Sequence, residues 1–71
     1  ENIELEEAKQ TLAKAINILP DKEKMVVTLY YYEELTLKEI SLILKLSEAR
    51  VSQLHTKAVI RLKGALANKT I

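Results

Sequence analysis

The sequence predicts an all-α domain, and three observations carry that prediction. Apolar residues recur at three- and four-residue spacing along most of the chain. One glycine, Gly64, and one proline, Pro20, are the only such interruptions in 71 residues, so little breaks a helix. Thr36 and Ser47 stand immediately ahead of apolar-periodic runs, where helix N-caps belong. Four helices are expected, at about 3–18, 20–32, 37–44 and 48–68, in a single domain over 1–71 near the lower size limit for folding without staples.

The first helix carries an apolar stripe of Leu5, Ala8, Leu12, Ala15, Ile16 and Leu19, with early glutamates suited to the positive end of the helix dipole. Pro20 stops it, because proline lacks an amide donor and restricts the residue before it, and the same residue suits the first turn of the next helix. The second helix holds Met25, Val26, Val27, Leu29 and the run Tyr30-Tyr31-Tyr32. Consecutive residues cannot share one helical face, so at least one tyrosine is expected in the core and another facing solvent or a partner. "TLKE", residues 36–39, is a capping box in which Thr36 and Glu39 satisfy each other's backbone amides. The third helix is short because Ser47 offers a new cap soon after Leu44; the fourth tolerates Gly64 inside it or at a frayed end.

The near-neutral net charge of +1 hides a dipolar chain. Residues 1–36 hold four lysines against eight acids, a formal −4, whereas residues 37–71 hold seven Lys/Arg against two acids, a formal +5. Such asymmetry points to a polyanionic partner for the basic half or to mutual attraction between the halves. The absence of cysteine excludes disulfides, cysteine metal clusters and thiol nucleophiles, and fits a reducing cytoplasm. No apolar run is long enough to span a membrane and no signal segment opens the chain, which begins Glu1-Asn2 and is expected to be part of a longer protein. Adjacent carboxylates such as Glu6-Glu7 and Glu33-Glu34 diverge on a helix, there is no glycine-rich phosphate loop, and His55 has no second histidine to share a metal. The expectation is a non-enzymatic domain with no catalytic residue, metal, cofactor or small-molecule substrate.

Residues 37–57 fit a helix-turn-helix. With Leu37 as its first position, the fourth, eighth, tenth, fifteenth and eighteenth must be apolar for two helices to cross steeply, and they are Ile40, Leu44, Leu46, Val51 and Leu54. The fifth, at the closest approach, is the small Ser41. The ninth, where a turn glycine would relieve a positive φ, is Lys45, at a cost of about 1 kcal/mol if that residue is left-handed.

At 100° per residue, the fourth helix buries Val51, Leu54, Ala58 and Leu62, turns Ala49, Ser52, Gln53 and Thr56 the opposite way, and carries Arg50, Lys57 and Arg61 as a cationic column along one border. A helix entering the major groove needs short side chains at its centre, an amide able to pair with adenine and methyls able to touch thymine. At its edges it needs cations for the phosphates, which set affinity and register without reading sequence. Ser52, Gln53 and Thr56 fit the first role, and Arg50, Lys57 and Arg61 the second. The same features are also compatible with a polar solvated face on a helical bundle.

"LPDKEKMVVTLYYYEELTLKEISLILKLSEARVSQLHTKAVIRLK", residues 19–63, resembles the fourth conserved region of bacterial sigma factors, in particular the flagellar or motility class. The resemblance implies a C-terminal domain that binds the promoter −35 element as double-stranded DNA while its apolar side grips the flap of the RNA polymerase β subunit. By position it implies base readers at Glu48, Ala49, Ser52 and Gln53 and phosphate contacts at Lys22, Arg50 and Lys57; the outward face adds Thr56 to the readers, and Lys38 is a further candidate phosphate contact. The resemblance places Leu62 on the flap contact. Flagellar sigma factors are restrained by an anti-sigma protein, for which the acidic, apolar first half, with Leu12 and Ile16, offers a surface.

Two departures from the family pattern matter: Lys45 stands at the turn glycine, and Glu48, Ala49 and Ser52 differ from the more basic primary sigma factors, implying a different −35 sequence. Two other functions fit the residues: a stand-alone helix-turn-helix regulator, which would bind symmetric half-sites as a dimer, and a helical bundle that binds only a regulatory protein.

Overall fold

The computed structural model describes residues 3–69, with side chains through residue 67. Among these residues four α-helices follow one another: α1 (Ile3–Asn17), α2 (Asp21–Val27), α3 (Leu37–Leu44) and α4 (Glu48–Lys69). Pro20 caps α2 with extended backbone (φ −54°, ψ 151°), one residue earlier than a helical first turn, and its carbonyl accepts from the Lys24 amide at 2.8 Å. The capping box ahead of α3 is formed, with the Thr36 amide donating to Glu39 Oε1 at 2.8 Å and the Glu39 amide to Thr36 Oγ1 at 3.0 Å. Ser47 caps α4, its hydroxyl accepting from the Arg50 amide at 3.0 Å.

The second helix departs from the single α-helix expected over 20–32. Its last turn, Thr28–Tyr32, is a π-helix, closed by the Glu33 amide on the Thr28 carbonyl at 3.2 Å. The wider turn accommodates three consecutive rings. Tyr30 reaches the core while Tyr31 and Tyr32 stay exposed, and the Tyr30 ring lies edge-on to Tyr31 at 4.8 Å and 4.9 Å from His55.

Two apolar clusters make the core, and α2 bridges them through neighbouring valines. Val27 joins Ile16, Leu19 and Ala58, with Leu62 against them. Val26 joins Ile40, Val51 and Leu54, with Leu29, Tyr30, Leu35, Leu37, Leu44 and Leu46 around them. All five apolar helix-turn-helix positions therefore meet in one cluster. Ser41 is buried where α3 approaches its neighbours, and its hydroxyl donates back to the Lys38 carbonyl at 2.6 Å.

The stripe on α1 is only partly used. Ala15, Ile16 and Leu19 are buried, but Leu5 and Leu12 remain 49% and 39% exposed, because only the C-terminal part of α1 is covered by core residues of α2 and α4. Met25, expected among the apolar residues of the second helix, is also exposed.

Lys45 occupies the left-handed region (φ 58°, ψ 42°) at the end of α3. Its amide and that of Leu46, the latter at 3.0 Å, both donate to the Ser41 carbonyl, so the turn must keep this backbone. Replacing a lysine by glycine there removes the Cβ clash at a modest loss of unfolded-state restriction. Lys45→Gly is expected to stabilise the domain by about 1 kcal/mol, raising the thermal midpoint by roughly 4–8 °C in circular dichroism melts. An unchanged or lower midpoint would show that the lysine side chain compensates for its backbone.

Candidate nucleic-acid interface

The outward face of α4 begins at its cap. Glu48, Ala49, Ser52, Gln53 and Thr56 are all exposed, while Val51 and Leu54, on the opposite side, are 0% and 4% exposed. Burial of those two residues fixes the rotation of the helix, so the small and amide side chains must point away from the core. Ser52, Gln53, Thr56 and Lys57 line one shallow hollow on this surface. Arg50 and Lys57 are exposed along its border, and Lys22 and Lys38 are exposed on α2 and α3.

Arg61 does not belong with those free-standing cations. Its Nε donates to Glu23 Oε1 at 2.9 Å, and the Glu23 side chain is only 5% exposed. On the helical wheel Arg61 falls about 20° from Leu54, on the core side of the column. From there it reaches across to α2 and compensates a buried carboxylate, which would otherwise be costly to desolvate. The sequence reading gives Arg61 a phosphate; the Glu23 carboxylate competes for the same guanidinium. Glu23 itself was missed, although an acid three and four residues before Val26 and Val27 lies on the core-facing register, a legible signal of a buried charge seeking a partner.

The residues expected at a protein partner come together in a second feature. Leu12, Ile16 and Leu62 line one apolar groove of about 330 Å³ with Val27, Val59 and Leu66, and Tyr31, Tyr32 and Lys63 complete its lining. Ile16 is 8% exposed and belongs to the core beneath the groove, so Leu12 and Leu62 offer more accessible surface than Ile16 does. Val59 and Leu66 are not legible as partner residues in the sequence, which says of the tyrosines only that one faces solvent or a partner, because the groove forms only when the π turn, α1, α2 and α4 are assembled.

His55 lies half-buried on the border of the buried stripe, as its position on the wheel predicts. Its Nε2 is 3.1 Å from the Tyr31 hydroxyl, and the two rings stack at 5.8 Å. Among the described residues no helix is long and apolar enough to cross a membrane.

Residues 15–64 match the family model described as sigma-70, region 4. The chain belongs to this family. The match encloses the helix-turn-helix, every exposed residue of the α4 face, Lys22, Lys38 and the Glu23–Arg61 pair; Leu12 lies outside it. The chain is 55% identical over 60 residues to the RNA polymerase sigma factor FliA of Yersinia enterocolitica, covering 84% of this chain and 26% of that protein. It is 53% identical over 58 residues to FliA of Escherichia coli K12, covering 82% and 24%, and 48% identical over 66 residues to the RNA polymerase sigma-D factor of Bacillus subtilis, covering 93% and 26%. The chain thus spans about a quarter of the length of these relatives. Its fold is similar to that of the sigma chain in a cocrystal of the flagellar sigma/anti-sigma complex, sigma-28 with FlgM (TM-score 0.89, 43% identity, 96% of this chain and 30% of that one). The all-α region 4 fold expected from the sequence is therefore the fold of the chain.

Proposed function

We propose that this region 4 domain recognises the promoter −35 element through the first half of α4 and docks on the RNA polymerase β flap through its apolar groove, as part of an alternative sigma factor. The observation that carries the DNA reading is the exposed face of Ala49, Ser52, Gln53 and Thr56, set by full burial of Val51 on the other side of the same helix. Its short side chains let the α4 backbone approach base edges, and the Gln53 amide can both donate to and accept from one adenine. Glu48, at the helix tip, only accepts hydrogen bonds when ionised, which suits an exocyclic amine of cytosine or adenine and disfavours a guanine edge. Lys22, Lys38, Arg50 and Lys57 hold phosphates and set the register.

The groove supports the protein contact. Its lining is almost wholly apolar and is shared between three helices and the π turn, which suits the apolar face of a partner helix. Similarity to a sigma factor crystallised with its anti-sigma protein supports restraint of this domain by such a protein as well. The domain acts by binding alone, in the cytoplasm, with residues 37–57 as the DNA-binding unit.

The test is fluorescence anisotropy of wild type and Gln53→Ala on duplexes carrying candidate −35 sequences and on scrambled duplexes, at several salt concentrations. Three to five phosphate contacts give an expected log–log salt slope of about −3 to −4.5. Gln53→Ala is expected to lose roughly 1–2 kcal/mol of sequence preference while keeping that slope. Equal binding of all duplexes by wild type and variant would rule out base reading by this face.

A further inference from the structure

Tyr31 belongs to two surfaces at once. The residue is 54% exposed and lines the apolar groove, and its hydroxyl lies 3.1 Å from Nε2 of His55. His55 is on α4, two residues after Gln53 and one before Thr56. Both rings belong to the π turn: Tyr30 reaches the core and lies 4.9 Å from the His55 ring, and Tyr31 stacks on His55 at 5.8 Å. We propose that Tyr31 couples the two surfaces, so that a helix seated in the groove and DNA on the α4 face strengthen each other's binding.

The coupling follows from where the hydrogen bond sits. It is solvent-exposed, so water competes for both of its ends in the free domain. A partner helix covering the groove packs on the Tyr31 ring, excludes that water and holds the hydroxyl on His55. The tie then restrains α4 beside its reading residues, and DNA meets a helix whose ordering is already partly complete. Linkage makes the effect reciprocal: DNA on α4 holds His55, and through it the groove wall. Because one exposed hydrogen bond carries the link, the effect is expected to be a factor of about three to five, at or just below the lower end of typical couplings. The inference rests on the flap-docking and DNA-binding reading above.

The experiment measures, with the 71-residue chain, the affinity of a −35 duplex with and without a saturating synthetic peptide of the β flap-tip helix, and the affinity of the peptide with and without DNA. Wild type is expected to show the same threefold to fivefold gain in both directions. Tyr31→Phe keeps the ring in the groove wall and removes only the hydroxyl, so its affinity for each ligand alone is measured as its own baseline, and on that baseline it is expected to show no mutual gain. His55→Leu and the double variant are expected to behave alike, because they break the same bond. Binding of both ligands by wild type without mutual gain overturns the coupling and leaves the flap and DNA reading standing. A gain that survives in Tyr31→Phe overturns the assignment to this residue. Failure of wild type to bind the peptide or the duplex overturns the underlying reading, and the coupling with it.

Discussion

Ile40→Ala is expected to destabilise the domain by about 3–4 kcal/mol, a large share of what a chain this short can hold. Ile40 is 0% exposed and packs with Val26, Val51 and Leu54, so its removal opens a space that α2, α3 and α4 all border. The loss combines the transfer free energy of the deleted carbons with a cavity that the surrounding helices fill only in part. A chain of 71 residues has a total stability on the order of 4–10 kcal/mol. The variant is therefore expected to be substantially unfolded near the thermal midpoint of wild type. Urea titrations followed by far-ultraviolet circular dichroism measure the difference as a shift in midpoint at unchanged slope. Leu42, two residues away on the same helix but 71% exposed, is the internal control: Leu42→Ala is expected to stay within about 0.5 kcal/mol of wild type. Comparable losses at both positions would mean that the helix-turn-helix does not pack as described. Ile40 is fully buried and lies on neither the outward face of α4 nor its cationic border, so DNA binding by Ile40→Ala should fall only with the folded fraction.

The core position of Ile40 is legible in the sequence itself, and the reason is locality. The rules that place the helix-turn-helix act over a few residues: Thr36 and Glu39 close a box three apart, Ser47 caps three residues on, and Ile40, Leu44, Leu46, Val51 and Leu54 follow a fixed register. The left-handed Lys45 is visible for the same reason, as the position where a tight turn leaves one backbone conformation. Glu34 adopts a similar φ of 58° after the π turn, but no register of comparable length announces it.

Features that depend on distant residues are not legible in this way. The rings of the π turn meet His55, which is 24 residues beyond Tyr31. The groove needs Leu12 and Leu66 side by side, and periodicity alone cannot say that α1 leaves its first turns uncovered. The outward face of α4 stands between these cases. Its direction follows from the wheel, whereas the chemistry it meets is a proposal that the Gln53 substitution tests.

Arg61 shows how one wheel position can serve two roles, a phosphate contact or a partner for Glu23, and it yields the second large effect. Arg61→Ala is expected to destabilise the domain by about 2–3 kcal/mol, because it leaves the Glu23 carboxylate buried at 5% exposure without its guanidinium. The value lies below that for breaking a fully buried pair, since Arg61 is itself 56% exposed and water already screens one side of the contact. Glu23→Gln keeps a hydrogen-bond acceptor and removes the charge, so a smaller loss of about 1 kcal/mol is expected. The double variant Glu23→Leu with Arg61→Met fills the same space with apolar atoms and is expected to recover most of the stability lost in Arg61→Ala. Urea midpoints of the four proteins decide this, and a double variant no better than Arg61→Ala would show that the arginine acts through packing of its stem. The same variants separate structure from DNA contact. If Arg61 neutralises Glu23, Arg61→Ala leaves the log–log salt slope of duplex binding unchanged in the folded protein, whereas Lys57→Ala, from the exposed border of the reading face, makes it shallower by about 0.9. A slope that falls equally in both would return Arg61 to the phosphate contacts, with Glu23 as the group that orients it.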